Sequence, residues 1–129
     1  MCIRDRYRNL VISTLEMAIP LWDGALTKRD AKDIESVQKI CVKLISGQHL
    51  INYEETVKSL GLETLELRRT KLCFKFAKKC LKNKRFNHWF KLKNRVTRSD
   101  EKYLVPTGKT KRFLSSSIPH LTRILNKLS

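Results

Sequence analysis

Apolar positions in the first part of the chain recur at steps of three and four. Tyr7, Leu10, Val11, Thr14, Leu15 and Ala18 form one stripe of a helix. Pro20 predicts its end, because the residue before a proline, here Ile19, is pushed out of the α region. Trp22, Asp23 and Gly24 predict the turn that follows. Thr27-Lys28-Arg29-Asp30 has the spacing of a capping box, with Asp in place of the usual Glu or Gln. From it runs a second amphipathic stripe, Ala31, Ile34, Val37, Cys41, Leu44 and Ile45, and Gly47 stands where a C′ glycine closes a helix. Asn52 before Tyr53-Glu54-Glu55 is another capping signal, for a short helix through Val57 and Leu60 that Gly61 ends.

Thr64 caps the next and longest predicted helix, with Glu66 in its first turn complementing the dipole. On a wheel of about 100° per residue, Leu65, Leu72, Cys73, Phe76, Ala77 and Cys80 share one face. Arg68, Lys71, Lys75, Lys78, Lys79 and Lys82 fall within about 100° on the other. Phe86, Trp89 and Phe90 predict a short aromatic helix behind Asn83. Residues 94–110 are polar and basic without a sustained period and, with Pro106 and Gly108, read as a long loop. Pro119 suits the start of a last helix, whose apolar face is Leu121, Ile124, Leu125 and Leu128. Every periodic segment has a period near 3.6, so the expected class is all-α, about six helices in one small irregular bundle.

Charge sharpens this picture. The net charge is +16 over 129 residues. Residues 1–66 carry nine Lys/Arg against ten Asp/Glu, while residues 67–129 carry nineteen against two. A near-neutral half followed by a strongly basic half points to an anionic partner, nucleic acid ahead of a membrane surface. No apolar run approaches the roughly 18 residues of a membrane span, and the first residues lack the pattern of a secretory signal. The expected compartment is cytoplasmic or nuclear. Cys73 and Cys80 are about 10 Å apart along one predicted helix, too far for a disulfide. The three histidines, His49, His88 and His120, are scattered singly, and no C-x-x-C pair exists. The cysteines therefore read as reduced apolar residues, with no metal, no cofactor and no small-molecule substrate expected. Tyr53, Glu54 and Glu55 read as capping rather than acid–base chemistry.

The order of landmarks resembles a known family. Leu15-Glu-Met-Ala-Ile-Pro-Leu-Trp22, Asp33-Ile-Glu-Ser-Val-Gln38, Ile45-Ser-Gly47, Tyr53-Glu-Glu55, Leu60-Gly-Leu-Glu-Thr-Leu-Glu-Leu-Arg-Arg69, Leu72 to Cys80, Ser117-Ile-Pro119 and Leu125-Asn126 follow one another. This succession is similar to the C-terminal, post-thumb region of jockey-like non-LTR retrotransposon reverse transcriptases. Met17 departs from it, standing where Tyr is commoner. The resemblance implies a single helical module over residues 7–129, with 7–66 near-neutral and 67–129 basic. Residues 1–6 match nothing in it and read as a non-native lead. The metal-binding aspartates of polymerase chemistry, in a Tyr/Phe-x-Asp-Asp turn, have no counterpart, since the chain contains no Asp-Asp pair.

The resemblance and the charge together imply a non-catalytic fragment of an RNA-directed DNA polymerase that helps hold template RNA or RNA–DNA hybrid. Arg68, Lys71, Lys75, Lys78, Lys79, Lys82, Lys84, Arg85 and Trp89 are the candidate nucleic-acid residues, the cations tracking phosphates and the aromatic stacking on bases. A structural role is expected for Trp22, packing the first helix on the second, and for Arg69, which the wheel puts inside the apolar face, with Glu35 as its partner and Gln38 as support. The competing readings are a segment that contacts the remainder of the reverse transcriptase or another protein, and a free-standing small basic protein.

Overall fold

The computed structural model describes residues 2–47, 52–95, 98 and 101–128. His49 and part of the 94–110 stretch lie outside the described residues. The fold is all-α, as expected, with no strand among the described residues. Two compact units divide it: Met1–Met17 with Leu26–Arg69, and Ala18–Ala25 with Thr70–Ser129.

Unit 1 begins with α1 (Ile3–Arg6), a π-helical stretch (Tyr7–Ile12) and α2 (Ser13–Leu15), joined through helical backbone at each junction. The wider winding has a local cause. The Ser13 hydroxyl donates to the Asn9 carbonyl at 2.5 Å and the Thr14 hydroxyl to the Leu10 carbonyl at 2.7 Å, competing for groups that α-type N–H bonds use. The helix ends at Leu15, three residues before the predicted stripe ends at Ala18. Ala18 adopts φ 54°, the left-handed region, immediately before Ile19. Ile19 is not displaced from helical backbone but opens α3 (Ile19–Trp22), where Pro20 lies in the first turn and its missing N–H costs nothing.

The capping predictions hold atom for atom. In α4 (Lys28–Ser46) the Asp30 N–H donates to Thr27 Oγ1 and the Thr27 N–H to Asp30 Oδ2, both at 3.2 Å. These bonds hold the Asp30 carboxyl below the usual carboxylate range. Gly47 ends the helix at φ 70°. In α5 (Tyr53–Ser59) Asn52 accepts from the Glu54 N–H. At its end the Gly61 N–H bonds the Lys58 carbonyl and the Leu62 N–H the Val57 carbonyl, a Schellman closure that needs the left-handed φ of 68° at Gly61.

The core of this unit joins Tyr7, Ile12, Val42, Val57 and Leu62, with Val11, Cys41, Ile45, Tyr53 and Leu60 packed against it. It departs from the predicted stripe on α4: Val37 is 38% and Leu44 69% exposed, while Gln38 and Val42 are buried. Gln38 is wholly inside because its amide is fully used. Its Oε1 accepts from the Tyr7 hydroxyl at 2.8 Å, and its Nε2 donates to Tyr53 Oη and the Glu63 carbonyl, each at 3.0 Å. Tyr53 in turn donates to Glu35 Oε1 at 2.5 Å, and Glu35 Oε2 accepts the N–H of Leu65 at 3.2 Å.

Leu65 is the first residue of α6 (Leu65–Lys82), so Glu35 supplies a carboxylate to the positive end of the longest dipole after α4. Thr64 adds its predicted cap, accepting the Leu67 N–H at 3.4 Å. The helix continues beyond Arg69 into unit 2. There Cys73, Ala77 and Cys80 are buried with Ile19, Phe90, Leu121, Ile124 and Leu125, and Trp22, Leu72, Phe74, Leu81, Trp89 and Tyr103 pack on them. Phe76, placed by the wheel on the apolar face, is 38% exposed, and Phe74 packs on the core instead. The buried residues centre beyond Phe76 on the wheel, at Cys80 and Cys73, which leaves its ring on the rim.

The described residues between 83 and 110 are mostly irregular but held at definite points. A 3₁₀ turn (Asn87–Trp89) replaces the predicted aromatic helix. Leu92 and Tyr103 form an antiparallel bridge, the Lys93 N–H bonding the Lys102 carbonyl at 2.9 Å. Asn126 then takes both backbone groups of Tyr103, accepting its N–H at 2.9 Å and donating to its carbonyl at 3.0 Å. Two short-range signals go beyond the predicted loop and terminus. Thr110 caps α7 (Lys111–Leu114), and α8 (Ser117–Leu128) starts two residues before Pro119, burying Leu121, Ile124 and Leu125 but leaving Leu128 45% exposed.

Candidate nucleic-acid interface

Unit 2 carries seventeen Lys/Arg against three Asp/Glu, unit 1 eleven against nine. The unit boundary thus concentrates the charge as the division at residue 66 does. The two described carboxylates of unit 2 are both engaged: Asp23 lies 2.7 Å from His120 Nε2, and Glu101 pairs with Lys93 at 2.8 Å. Helix α6 separates its faces cleanly here. Cys73, Ala77 and Cys80 face the core, whereas Lys71, Lys75, Lys78, Lys79 and Lys82 are exposed. Lys71 to Lys82 spans about 16 Å of helix axis at 1.5 Å per residue. The Lys78 ammonium lies 4.5 Å from the centre of the Phe74 ring, a cation–π contact at the edge of the stripe.

Lys84 and Arg85 extend the cationic set just beyond the helix. Asn83 Oδ1 accepts the Arg85 N–H at 3.0 Å and turns the chain there, so both residues are exposed. The aromatic trio divides by depth. Phe90 is buried, Trp89 is half-buried against the core, and Phe86 is 37% exposed. The Phe86 and Trp89 rings are 4.8 Å apart and tilted by 42°. The more exposed ring of this pair is that of Phe86, whereas the sequence assigns the stacking role to Trp89.

Arg68 is corrected. On its helix it belongs to the basic stripe, which has no acidic neighbour of its own; in space its guanidinium donates to the Glu16 carboxylate, within unit 1. That bond raises the Arg68 pKa further and already neutralises its charge. Arg69 is 5% exposed, inside as the wheel places it. Glu35, its expected partner, lines the same pocket of about 420 Å³, alongside Lys28, Lys32 and Lys39. The hydrogen bonds of Glu35 go to Tyr53 and to the start of α6, and Gln38 is the centre of the tyrosine web. Trp22, expected to pack the first helix on the second, packs on the core of unit 2.

One constellation is invisible in the sequence. Asp23, Cys73 and His120, from three separate segments of unit 2, bring one ligand atom each to within 4.8 Å of the others. No local spacing signals this, because the residues are 50 and 97 positions apart in the pairs that touch.

Comparison with models of known families, with curated proteins and with solved structures finds no match. Among the described residues no helix is long and apolar enough to cross a membrane.

Proposed function

We propose that the chain is a non-catalytic C-terminal portion of a non-LTR retrotransposon reverse transcriptase and helps hold template RNA or RNA–DNA hybrid. The observation that carries this reading is the exposed cationic face of α6 in unit 2, opposite its buried face and continued by Lys84 and Arg85. Such a face neutralises phosphates without reading bases, so affinity comes from counterion release and sequence preference is slight. The Phe86–Trp89 pair beside it offers an aromatic surface for an unpaired base. The partners of this reading are RNA or hybrid and the remainder of the polymerase, in the cytoplasm or nucleus.

Binding of single-stranded RNA and of hybrid duplex by the chain, measured across a salt series, tests the proposal. Affinity falls steeply with salt, and neutralising Lys71, Lys75, Lys78 and Lys82 together lowers the slope by about 0.7 per lost phosphate contact on single strands. A quadruple variant with the wild-type slope overturns the interface.

A second reading rests on α4, where Val37, Ile40 and Leu44 share one face and are 38%, 60% and 69% exposed. A face of this kind suits a protein contact, and the chain is then a structural segment of the polymerase. Salt-independent, weak RNA binding favours it. A Tyr/Phe-x-Asp-Asp motif in frame upstream of residue 7 supports either polymerase reading; a promoter and start codon at Met1 supports a free-standing basic protein.

A further inference from the structure

The cluster of Asp23, Cys73 and His120 stands apart from the cationic face and from the reading given to it. Its side chains come from the 3₁₀ turn Asp23–Ala25, the middle of α6 and the first turn of α8. Cys73 is fully buried, and the side chains of Asp23 and His120 are 12% and 21% exposed. The backbone around them is tightly fitted. A Cβ on Gly24 would stand 2.6 Å from the Ser115 carbonyl oxygen and 2.8 Å from His120 Cβ, so the turn approaches α8 as closely as it does only because residue 24 is glycine. The Ser117 hydroxyl, bonded to the Leu21 carbonyl at 3.2 Å, fastens α3, which leads into this turn, to the start of α8.

Within this frame Asp23 Oδ2 is the shared centre: His120 Nε2 lies 2.7 Å from it and the Cys73 thiol 3.6 Å. A nucleophilic dyad needs the thiol lined up on its imidazole base, whereas here the hydrogen bonds of both converge on one carboxylate oxygen. A thiol sulfur, an imidazole nitrogen and a carboxylate oxygen are instead a mixed donor set of the kind that binds borderline-soft cations. Ligand bonds of roughly 2.0–2.3 Å in tetrahedral geometry set donor-to-donor distances of roughly 3.4–3.6 Å. The Cys73–Asp23 separation already meets that value. The Asp23–His120 pair opens by less than about 1 Å to meet it, within the reach of side-chain rotation.

We propose that Asp23, Cys73 and His120 bind one divalent cation of the Zn²⁺ class, which clips the 23–25 turn, α6 and α8 of unit 2 together, with a water completing the tetrahedron on the exposed side. The donors select Zn²⁺ over Mg²⁺ and Ca²⁺, which take all-oxygen shells. Because the ligands are far apart in sequence, the ion binds the folded unit and not the unfolded chain, and its binding stabilises the fold.

Cobalt substitution of the reduced, metal-free full chain tests this. Co²⁺ should produce a thiolate-to-cobalt charge-transfer band that saturates at one equivalent and is discharged by Zn²⁺. One equivalent of Zn²⁺, but not of Mg²⁺, should raise the melting temperature. His120→Gln, whose ring is at the edge of the site, should keep the helical circular dichroism and weaken metal affinity by at least the roughly 10–100-fold that loss of a supporting hydrogen bond costs in such sites. Cys73→Ser should abolish the band, while Cys2→Ser, at an exposed thiol, should leave it intact. No saturable band in the wild-type chain overturns the proposal. So does a band that survives Cys73→Ser, unchanged affinity in His120→Gln, or a band that disappears with Cys2→Ser.

Discussion

In unit 1 a glutamine is wholly buried beside Val42, bonded to two tyrosines and a carbonyl, with a glutamate beyond them closing the web onto a helix start. In unit 2 the corresponding interior is Ile19, Cys73, Ala77, Leu121 and Leu125, and the polar and charged groups stand mostly outside. The two units carry charges of +2 and +14, from eleven against nine and seventeen against three. Specificity has a different source in each unit. A polar web must be satisfied at every member, so it dictates one arrangement of the helices around it. An apolar core tolerates repacking and leaves the surface free to be as cationic as its partner requires.

The two interiors should respond differently to damage, each by its own chemistry. Leu121→Ala, in the apolar core, should cost about 2–5 kcal/mol. Both tryptophans, Trp22 and Trp89, lie in unit 2, so the loss should appear as an earlier denaturant midpoint in tryptophan fluorescence. Gln38→Met keeps the volume of the side chain but removes the partner of the Tyr7 hydroxyl and of the Glu63 carbonyl, and should cost roughly 2–3 kcal/mol by circular dichroism. A neutral Gln38→Met would mean that unit 1 is held by its apolar contacts and that the web is incidental.

Smaller effects sharpen the picture. Arg68 is about one-third exposed in its pair with Glu16, so Arg68→Met should cost under about 1 kcal/mol. Arg69→Met, at a buried position, should cost more while leaving RNA affinity of the folded protein nearly unchanged; equal losses in the two variants would erase the distinction between them. The last effect is set by pH. Burial is the main cause that pushes the Tyr7 and Tyr53 hydroxyls above the ordinary tyrosine value, with Glu35 adding to it at Tyr53. The unfolded chain then loses these protons first, and rising pH favours it. Stability should be intact below about pH 10 with respect to these two groups and decline above it, while Tyr7→Phe should show a shallower decline in the same range. Burial of Cys41 acts in the same direction from about pH 8.5. A profile unchanged by Tyr7→Phe would remove Tyr7 as its source.

Much of the helical punctuation is legible residue by residue. Thr27, Asp30, Gly47, Asn52, Gly61 and Thr64 each perform the predicted terminal role, because a cap is satisfied by neighbours within a few positions. The exposed lysines of α6 are legible for a related reason, since helical spacing alone puts Lys71, Lys75, Lys78 and Lys82 opposite Cys73 and Ala77. Burial on α4 is not. Hydrophobicity nominates Val37 and Leu44 for the interior, with Gln38 read only as support for an Arg69–Glu35 pair, yet the amide goes in because Tyr7, Tyr53 and Glu63 arrive from elsewhere in the chain to satisfy it. Phe76 and Phe74 exchange roles for the same kind of reason: the wheel ranks faces, and the packing partner selects among them.

The sequence by itself determined the all-α class, the ends of the main helices, the asymmetry of charge and the cationic face of α6. These depend on period, capping chemistry and composition, which act over a few residues or over whole segments. Only the tertiary structure decided that Ala18 takes the left-handed turn before Ile19, that Arg68 is neutralised by Glu16 while Arg69 is buried, and that Trp22 serves the core of unit 2. It alone brought Asp23, Cys73 and His120 together. Those outcomes depend on which distant side chains meet, and contacts between residues fifty or more positions apart leave no period in a single chain for a sequence to display.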